Sequence, residues 1–274
     1  MIERVLHMYN IENLVIIIPV YKAFDDFLKC LNSIRRFYTK TRVIVINDCD
    51  SEEDSIKITS LIDHVFKDVD HNIVKVNNHM NLGFIKSCNI GCNLALSLDN
   101  VGSILLLNSD TILTNNSIQE MLIVLNTANK IGVVNPRTNN ASIQSYPFTI
   151  DSLPIFSFMY WQITKTFLKP YHRIPTAVGF CMLVKSNVVR KYGLFDEIYG
   201  LGYNEENDFC MRILKHGYQC YSANRSFVYH KGKSSFGINK ARILERMNRK
   251  ILDERYPNYS KLVKNYLTKR KISN

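Results

Sequence analysis

The sequence predicts an α/β protein built on a mainly parallel central sheet flanked by helices. Two observations carry that prediction: short apolar, β-branched runs recur along the first half of the chain, and segments with helical spacing separate them. A third narrows it. The runs are apolar at every position rather than at alternate ones, the pattern of strands covered on both faces.

The first strand is expected over Leu14–Tyr21, with Pro19 near its close. Asp25 to Phe37 has helical spacing, with Phe27, Leu28, Leu31 and Ile34 on one stripe and acidic residues at its start. Arg42–Asp48 is a second buried strand that ends in a carboxylate. Ser51-Glu52-Glu53-Asp54 opens a helix to about Ile62, and Ile73–Val76 is a third strand. Asn81–Phe84 is a turn leading into a helix from Ile85 to Leu98. A strand over Ile104–Leu107, a helix from Ser117 to Asn129 and a strand over Ile131–Val134 follow.

From Pro136 to Ile174 the alternation breaks. The segment is polar and then aromatic, from Leu153 to Trp161, the one Trp of the chain. It reads as a helix packed on the core, or as an aromatic loop that meets a sugar face or a membrane interface. Pro175–Val184 reads as a strand, with Gly179 where something approaches closely. An acidic helix start at Glu205 and a last strand over Tyr218–Tyr229 complete the body. The tail has basic amphipathic spacing, with Ile243, Met247 and Ile251 on one line.

Composition sets the class. With 274 residues, 46% of them hydrophobic and 22% charged, the chain suits one large soluble domain with a modest appendage. We expect a body over 1–237, halved near 135/136, and a basic helical extension over 238–274. No apolar run approaches the roughly 20 residues that span a bilayer, and Met1–Asn13 lacks the apolar core of a signal peptide. The cysteines (Cys30, Cys49, Cys88, Cys92, Cys181, Cys210, Cys220) include no C-x-x-C pair, so free thiols in a reducing cytoplasm are expected. Of the net charge of +11, +10 lies from Lys231 onward, where 13 Lys and Arg face 3 Asp and Glu. A basic tail on a near-neutral body suits an anionic surface (phospholipid head groups, a lipid-linked phosphate or nucleic acid), with a solvated helical face as the bland alternative.

Three features carry chemistry. In open α/β sheets ligands bind beyond the carboxyl ends of the strands, where both Asp48 and Asp110 fall. Asp110 ends the run Ser103–Thr111, and a carboxylate there can hold a hard cation such as Mg2+ or Mn2+. Glu205, Glu206 and Asp208 crowd three carboxylates into four positions, which calls for a cation, a basic partner or a proton-transfer task. His230 ends the last strand. No G-x-G-x-x-G follows the first strand and no G-x-x-x-x-G-K-[ST] occurs, so neither a dinucleotide fold nor a P-loop is supported.

These residues resemble a known family. Ile18-Pro19-Val20-Tyr21, Asn47-Asp48, Asn81-Leu82-Gly83-Phe84 with Asn89 and Gly91, Asn108-Ser109-Asp110, and Glu205–Arg212 followed by His230 stand in the order of the GT-A type glycosyltransferases of family 2. The resemblance is closest to bacterial enzymes that build surface polysaccharides, and it runs from Ile16 to Gly237. There are departures: Lys22 stands where Asn is common, Cys49-Asp50 replaces Gly-Ser, and Asn108 replaces the first Asp of D-x-D.

The resemblance implies a GT-A nucleotide-diphospho-sugar transferase fold and inverting transfer from a UDP- or dTDP-sugar, of hexosyl or rhamnosyl class. The expected acceptor is a hydroxyl of a glycan or lipid-linked oligosaccharide. It implies donor contacts at Pro19, Tyr21, Asp48, Asn81, Gly83, Phe84, Asn108, Ser109 and Asp110, and a Mn2+ or Mg2+ ion on Asp110 and His230. Glu206 is the expected base, with Glu205 next and Asp208 orienting the acceptor or the helix, where Arg212 one turn on could pair with it. Gly179, Tyr203, Arg212 and Trp161 are the expected acceptor contacts. A cytoplasmic protein is expected, peripheral at the inner membrane face and with no nucleic-acid partner. The alternatives are a nucleotidyltransferase, which lacks support because Val20–Phe24 has no Gly-rich phosphate loop, and a non-catalytic binding relative.

Overall fold

The computed structural model describes residues 11–141, 143, 145, 153–232 and 238–272. Expectations that fall on Met1–Asn10, on residues 142, 144 and 146–152, and on Lys233–Gly237 lie outside the described residues. So do Ser273 and Asn274 and the side chains of residues 153–158, 238–240 and 270–272.

The expected first half forms. Strands β1 (Leu14–Val20), β2 (Arg42–Asn47), β3 (Ile73–Asn77) and β4 (Ser103–Leu107) alternate with helices α1 (Phe24–Phe37), α2 (Glu52–Phe66) and α3 (Phe84–Ser97). After a short β5 (Thr111–Leu113) come α4 (Ser117–Thr127), β6 (Ile131–Arg137), α5 (Leu153–Phe167), β7 (Tyr171–Ile174) and β8 (Cys181–Lys185). Then follow α6 (Ser186–Tyr192), α7 (Glu205–Lys215), β9 (Gln219–His230), α8 (Ile238–Arg255) and α9 (Tyr259–Ile272). The aromatic segment is therefore a helix, with Tyr160 buried against Phe227 of β9.

The strands form one sheet in the order β3-β2-β1-β4-β8-β6-β9-β5, with β7 pairing β9 off that path. β3, β2, β1 and β4 are mutually parallel. β8 is antiparallel to both β4 and β6, so β6 regains the direction of β1, and β9 follows it in parallel. β5 and β7 run against β9. The sheet is thus mainly parallel, with its reversals confined to the second half.

Strand alternation divides the core between two faces. Leu14, Ile16 and Ile18 of β1 pack with Phe27 and Leu31 of α1, Ile58 and Ile62 of α2, and Met121 of α4. Val15 and Ile17 face the other way, onto Ile85, Cys88 and Cys92 of α3 and Phe209 and Ile213 of α7. All seven cysteines are buried and free.

Gly91 lets α3 lie close to the sheet, because a Cβ there would stand 2.5 Å from Ile17 Cγ2 and 3.2 Å from Ile46 Cγ1. Gly91→Ala is expected to destabilise the fold by about 1–3 kcal/mol through overpacking. Urea unfolding checks this, with an unchanged midpoint as the contrary result.

The expected strand over Pro175–Val184 is corrected to β8 alone. Asn135 of β6 captures Val178, accepting from its N–H at 2.7 Å and donating to its carbonyl at 2.9 Å. Those backbone groups are thereby satisfied without a ladder, and Pro175–Phe180 is a loop. In the tail, Ile251 of the expected apolar line packs on the core, but the line buried most deeply is a different one. Asn248, Leu252, Tyr256 and Tyr259 are buried, whereas Ile243 and Met247 are exposed. Leu252, Tyr256 and Tyr259 pack with Met211 of α7.

Candidate active site

Because β1, β2, β4 and β9 share one direction, their carboxyl ends deliver Tyr21, Asp48, Asn108–Asp110 and His230 to a single edge of the sheet. β8 runs the other way, so its leading loop, with Gly179 and Phe180, arrives at that edge too. Phe180 accepts a hydrogen bond from the Asn108 N–H at 2.8 Å and stacks on the His230 ring at 4.8 Å.

Asp110 and His230 meet through the β5–β9 pairing, which sets Thr111 opposite His230. The Asp110 Oδ2 accepts from the Gly232 N–H at 3.0 Å, and its Oδ1 lies 3.5 Å from His230 Nε2. His230 Nδ1 sits 2.9 Å from the Asn140 carbonyl, so that nitrogen carries the proton. In the neutral ring, Nε2 then offers a lone pair to a carboxylate oxygen, and two acceptors face each other. A proton or a cation must stand between them.

Without a metal, the proton serves. Burial acts to lower the His230 pKa, but the Asp110 hydrogen bond and charge outweigh it and the net shift is upward. Burial likewise acts to raise the Asp110 pKa, and His230 with the Gly232 N–H brings it below the usual range. Asn108 Oδ1 is buried beside them with no hydrogen-bond partner among the described residues. An amide oxygen, a carboxylate oxygen and an imidazole nitrogen, one of them orphaned, are a donor set that fits a small hard cation. No group of three or more His, Cys, Asp or Glu among the described residues could hold such an ion by itself.

The donor-side residues divide. Asp48 is 3% exposed and organises the neighbouring turn. Its Oδ1 accepts from Asn78 Nδ2 at 2.8 Å and the Leu82 N–H at 2.9 Å, and its Oδ2 from the Gly83 N–H at 2.9 Å. A carboxylate offers about four lone-pair sites, so one is left for a nucleotide base. Gly83 takes φ +86°, and Asn81 Oδ1 also accepts from its N–H. Tyr21 donates to Asp50 at 3.3 Å, and Lys22, in the left-handed region, pairs with Asp50 and Asp54. Pro19 is buried within β1 opposite Ile46. Ser109 is half-buried at the tip of the edge.

The acidic helix start stands across Gly179. A Cβ on Gly179 would lie 3.9 Å from the Phe84 ring and 4.0 Å from Glu206 Cβ. His230 stacks on Phe180, and the adjacent Gly179 leaves its Cβ position open toward Phe84 and Glu206, which brings the start of α7 beside the Asp110 corner. Glu205 is 4% exposed, and its Oε2 has no hydrogen-bond partner among the described residues. Burial, and then the charge of Glu206, push its carboxyl well above the usual range. Glu206 is half-buried, and burial, with a contribution from Glu245, raises its pKa to about 7. A carboxylate tuned to neutrality is suited to general-base work.

Arg212 and Trp161, expected at the acceptor, have other tasks. Asp208, 1% exposed, accepts from Tyr199 Oη at 3.0 Å and Arg255 Nη1 at 2.9 Å, so of the two tasks expected of it, it holds the helix. Arg212 pairs with Asp208 at 3.5 Å and gives its terminal nitrogens to the carbonyls of Tyr192, Gly193 and Leu194. Trp161 donates its indole N–H to Glu120 at 2.9 Å and carries Lys165 over its ring. Tyr203 remains at the loop before α7, at φ +74°. The sequence reading missed Asn78, the Asn139–Asn140 pair that orients His230, and the Lys231–Asp26 ion pair beside Asp110. Only Asn78 carried a signal, as a polar residue just beyond the end of β3.

The family model described as "Glycosyl transferase family 2" matches residues 15–193. The chain belongs to glycosyl transferase family 2. No curated protein matches it. Among solved structures, this family 2 chain resembles GalNAc-T7 with UDP, GalNAc and Mn2+ at TM-score 0.63 and 14% identity, over 81% of this chain and 43% of that one. It also resembles the mannosyltransferase PcManGT from Pyrobaculum calidifontis, in complex with GDP-Man and Mn2+, at TM-score 0.59 and 13% identity, over 85% of this chain and 60% of that one. The chain thus spans about half the length of these structures, and the likeness establishes the GT-A fold. No helix among the described residues is long and apolar enough to cross a membrane.

Proposed function

We propose that this chain is an inverting, metal-dependent glycosyltransferase. It moves a hexosyl or rhamnosyl unit from a UDP- or dTDP-sugar to a hydroxyl of a glycan or lipid-linked oligosaccharide in polysaccharide synthesis. The observation that carries the reading is the approach of Asp110 to His230, with Phe180 stacked on that ring and the neighbouring Gly179 facing Glu206. It supports a cation site and a base near neutrality at one sheet edge.

Asp110, His230 and Asn108 would hold the ion, Mn2+ or Mg2+, which would supply positive charge against the charge that builds on the β-phosphate. Glu206 takes the proton of the acceptor hydroxyl as its oxygen bonds to the anomeric carbon. The bond from that carbon to the diphosphate oxygen breaks, and the nucleoside diphosphate leaves. One base and one displacement invert the anomeric centre. The Asp48 turn places the base of the nucleotide, and its remaining lone pair accepts the N3–H of uracil or thymine.

The basic tail, together with exposed Met159, Ile163 and Phe167 on one side of α5, supports peripheral contact with the inner face of an anionic membrane. Thermal unfolding with Mn2+ and a panel of nucleotides tests the donor side. UDP or dTDP at about a hundredfold excess over Kd is expected to raise Tm by roughly 5 °C or more. No shift with any nucleotide would favour the non-catalytic alternative.

A further inference from the structure

The loop that presents Glu206 is held from the C-terminal segment. Gly200 and Gly202 take φ +64° and +143°, and the next two residues, Tyr203 and Asn204, are both left-handed at +74° and +72°. Two successive non-glycine residues in that region persist only where their surroundings impose it. The imposing group is Asn248 of α8. Its side chain is 6% exposed, and Nδ2 lies 2.7 Å from the Tyr199 carbonyl, 2.7 Å from that of Gly202 and 3.1 Å from that of Tyr203.

An amide has two N–H donors, so three carbonyls converge on this one group. A buried amide on the inner line of a helix is unfavourable unless it is bonded in this way. Leu252, one turn on and fully buried, supplies the packing that the position would otherwise give.

A second hold lies farther along the same helix. Arg255 Nη1 donates to Asp196 at 2.8 Å and to Asp208 at 2.9 Å, and Tyr199 Oη reaches the same Asp208 oxygen at 3.0 Å. Asn204 Nδ2 also reaches back to the Glu245 carbonyl at 3.4 Å. The two ends of the Tyr199–Asn204 loop and the first turn of α7 are thus pinned to one face of α8. None of these residues lies within the 15–193 stretch that the family model matches.

We propose that Asn248 and Arg255 are positioning residues, which set the Tyr199–Asn204 loop and the first turn of α7 and thereby fix where Glu206 stands toward the acceptor. The proposal rests on the assignment of Glu206 as base. It makes the C-terminal helices part of the construction of the active site.

The test compares Asn248→Ala and Asn248→Asp with Leu252→Ala. The Asp variant keeps the side-chain volume and removes both N–H donors. Two readouts are used: amide hydrogen exchange across 199–206, and release of nucleoside diphosphate from UDP-glucose, UDP-galactose, UDP-N-acetylglucosamine and dTDP-rhamnose. Both Asn248 variants are expected to speed exchange in 199–206 by at least about tenfold with β1 and β4 unchanged. They are also expected to lower kcat about 10²-fold while UDP affinity stays the same. Leu252→Ala should lower Tm but keep kcat within about threefold.

Unchanged exchange in 199–206, or a loss of kcat that simply tracks Tm across all three variants, overturns the proposal. Glu206→Gln separates the two assignments. If it retains turnover, the base reading fails, and exchange in 199–206 alone then decides the role of Asn248.

Discussion

Glu206→Gln is expected to lower kcat by roughly 10³-fold, within the 10²–10⁴ that a positioned base contributes, and to leave UDP affinity in Mn2+ unchanged. The glutamine keeps the size of the side chain and cannot take a proton. The pH dependence should report the same group. With a pKa of about 7 in the folded chain, the wild-type rate falls as the pH drops below neutrality and the base is protonated. The residual rate of the Gln variant should lack that acid limb.

Stability moves in the opposite sense. A carboxyl whose folded pKa is raised from an unfolded value of about 4.3 contributes stability below that value and loses it as the pH rises through about 7. Wild type should therefore lose on the order of 2 kcal/mol relative to Glu206→Gln between pH 5 and 8. The groups that bear on this titration are Glu205 on α7, Glu245 on α8 and Tyr259 on α9. Urea unfolding at a series of pH values reads the difference, and parallel curves for the two proteins would refute it.

Asp110→Asn carries the second large effect. The amide can still accept from the Gly232 N–H, and its own N–H can donate to His230 Nε2, so the corner should stay folded. What it loses is the one formal negative charge in the proposed cation site, because Asn108 is neutral. Wild type is expected to bind UDP tighter with Mn2+ than in EDTA. In the variant that gain should fall by roughly 10²-fold or more, leaving affinity nearly indifferent to the metal. Calorimetric titration of UDP in Mn2+ and in EDTA checks this. A variant that keeps the full metal effect would place the ion elsewhere.

The parallel half of the fold was legible because its information is local. Leu14–Val20, Arg42–Asn47 and Ser103–Leu107 are covered on both faces, and an unbroken apolar run is the direct sequence trace of that burial. The second half is set by contacts between distant residues. Nothing near Val178 announces that Asn135, 43 positions earlier, will take both of its backbone groups and end the expected strand. The short β5 exists because β9 reaches it with His230 opposite Thr111, a pairing across more than a hundred residues.

The site divides in the same way. Asp48, Asp110, Glu206 and His230 stood out as carboxylates or an imidazole at the ends of elements, and the structure sets all four at or beside one edge. What each side chain touches was not legible. Asp48 is largely committed to the Asn78–Gly83 turn, and Arg212 to the carbonyls of Tyr192–Leu194. Asn248 was hidden for a different reason: on the more apolar line of the tail Ile243 and Met247 are exposed and Ile251 alone packs inward, while the line with Asn248 and Leu252 is buried.

One displacement with one base is the core of the proposed mechanism, and the configuration of the product reports it directly. The measurement is proton NMR of the anomeric coupling in the sugar transferred from an α-linked UDP-hexose. A β-linked product is the predicted result. Retention of the α configuration would contradict the account, because it requires a second displacement and a nucleophile in addition to Glu206.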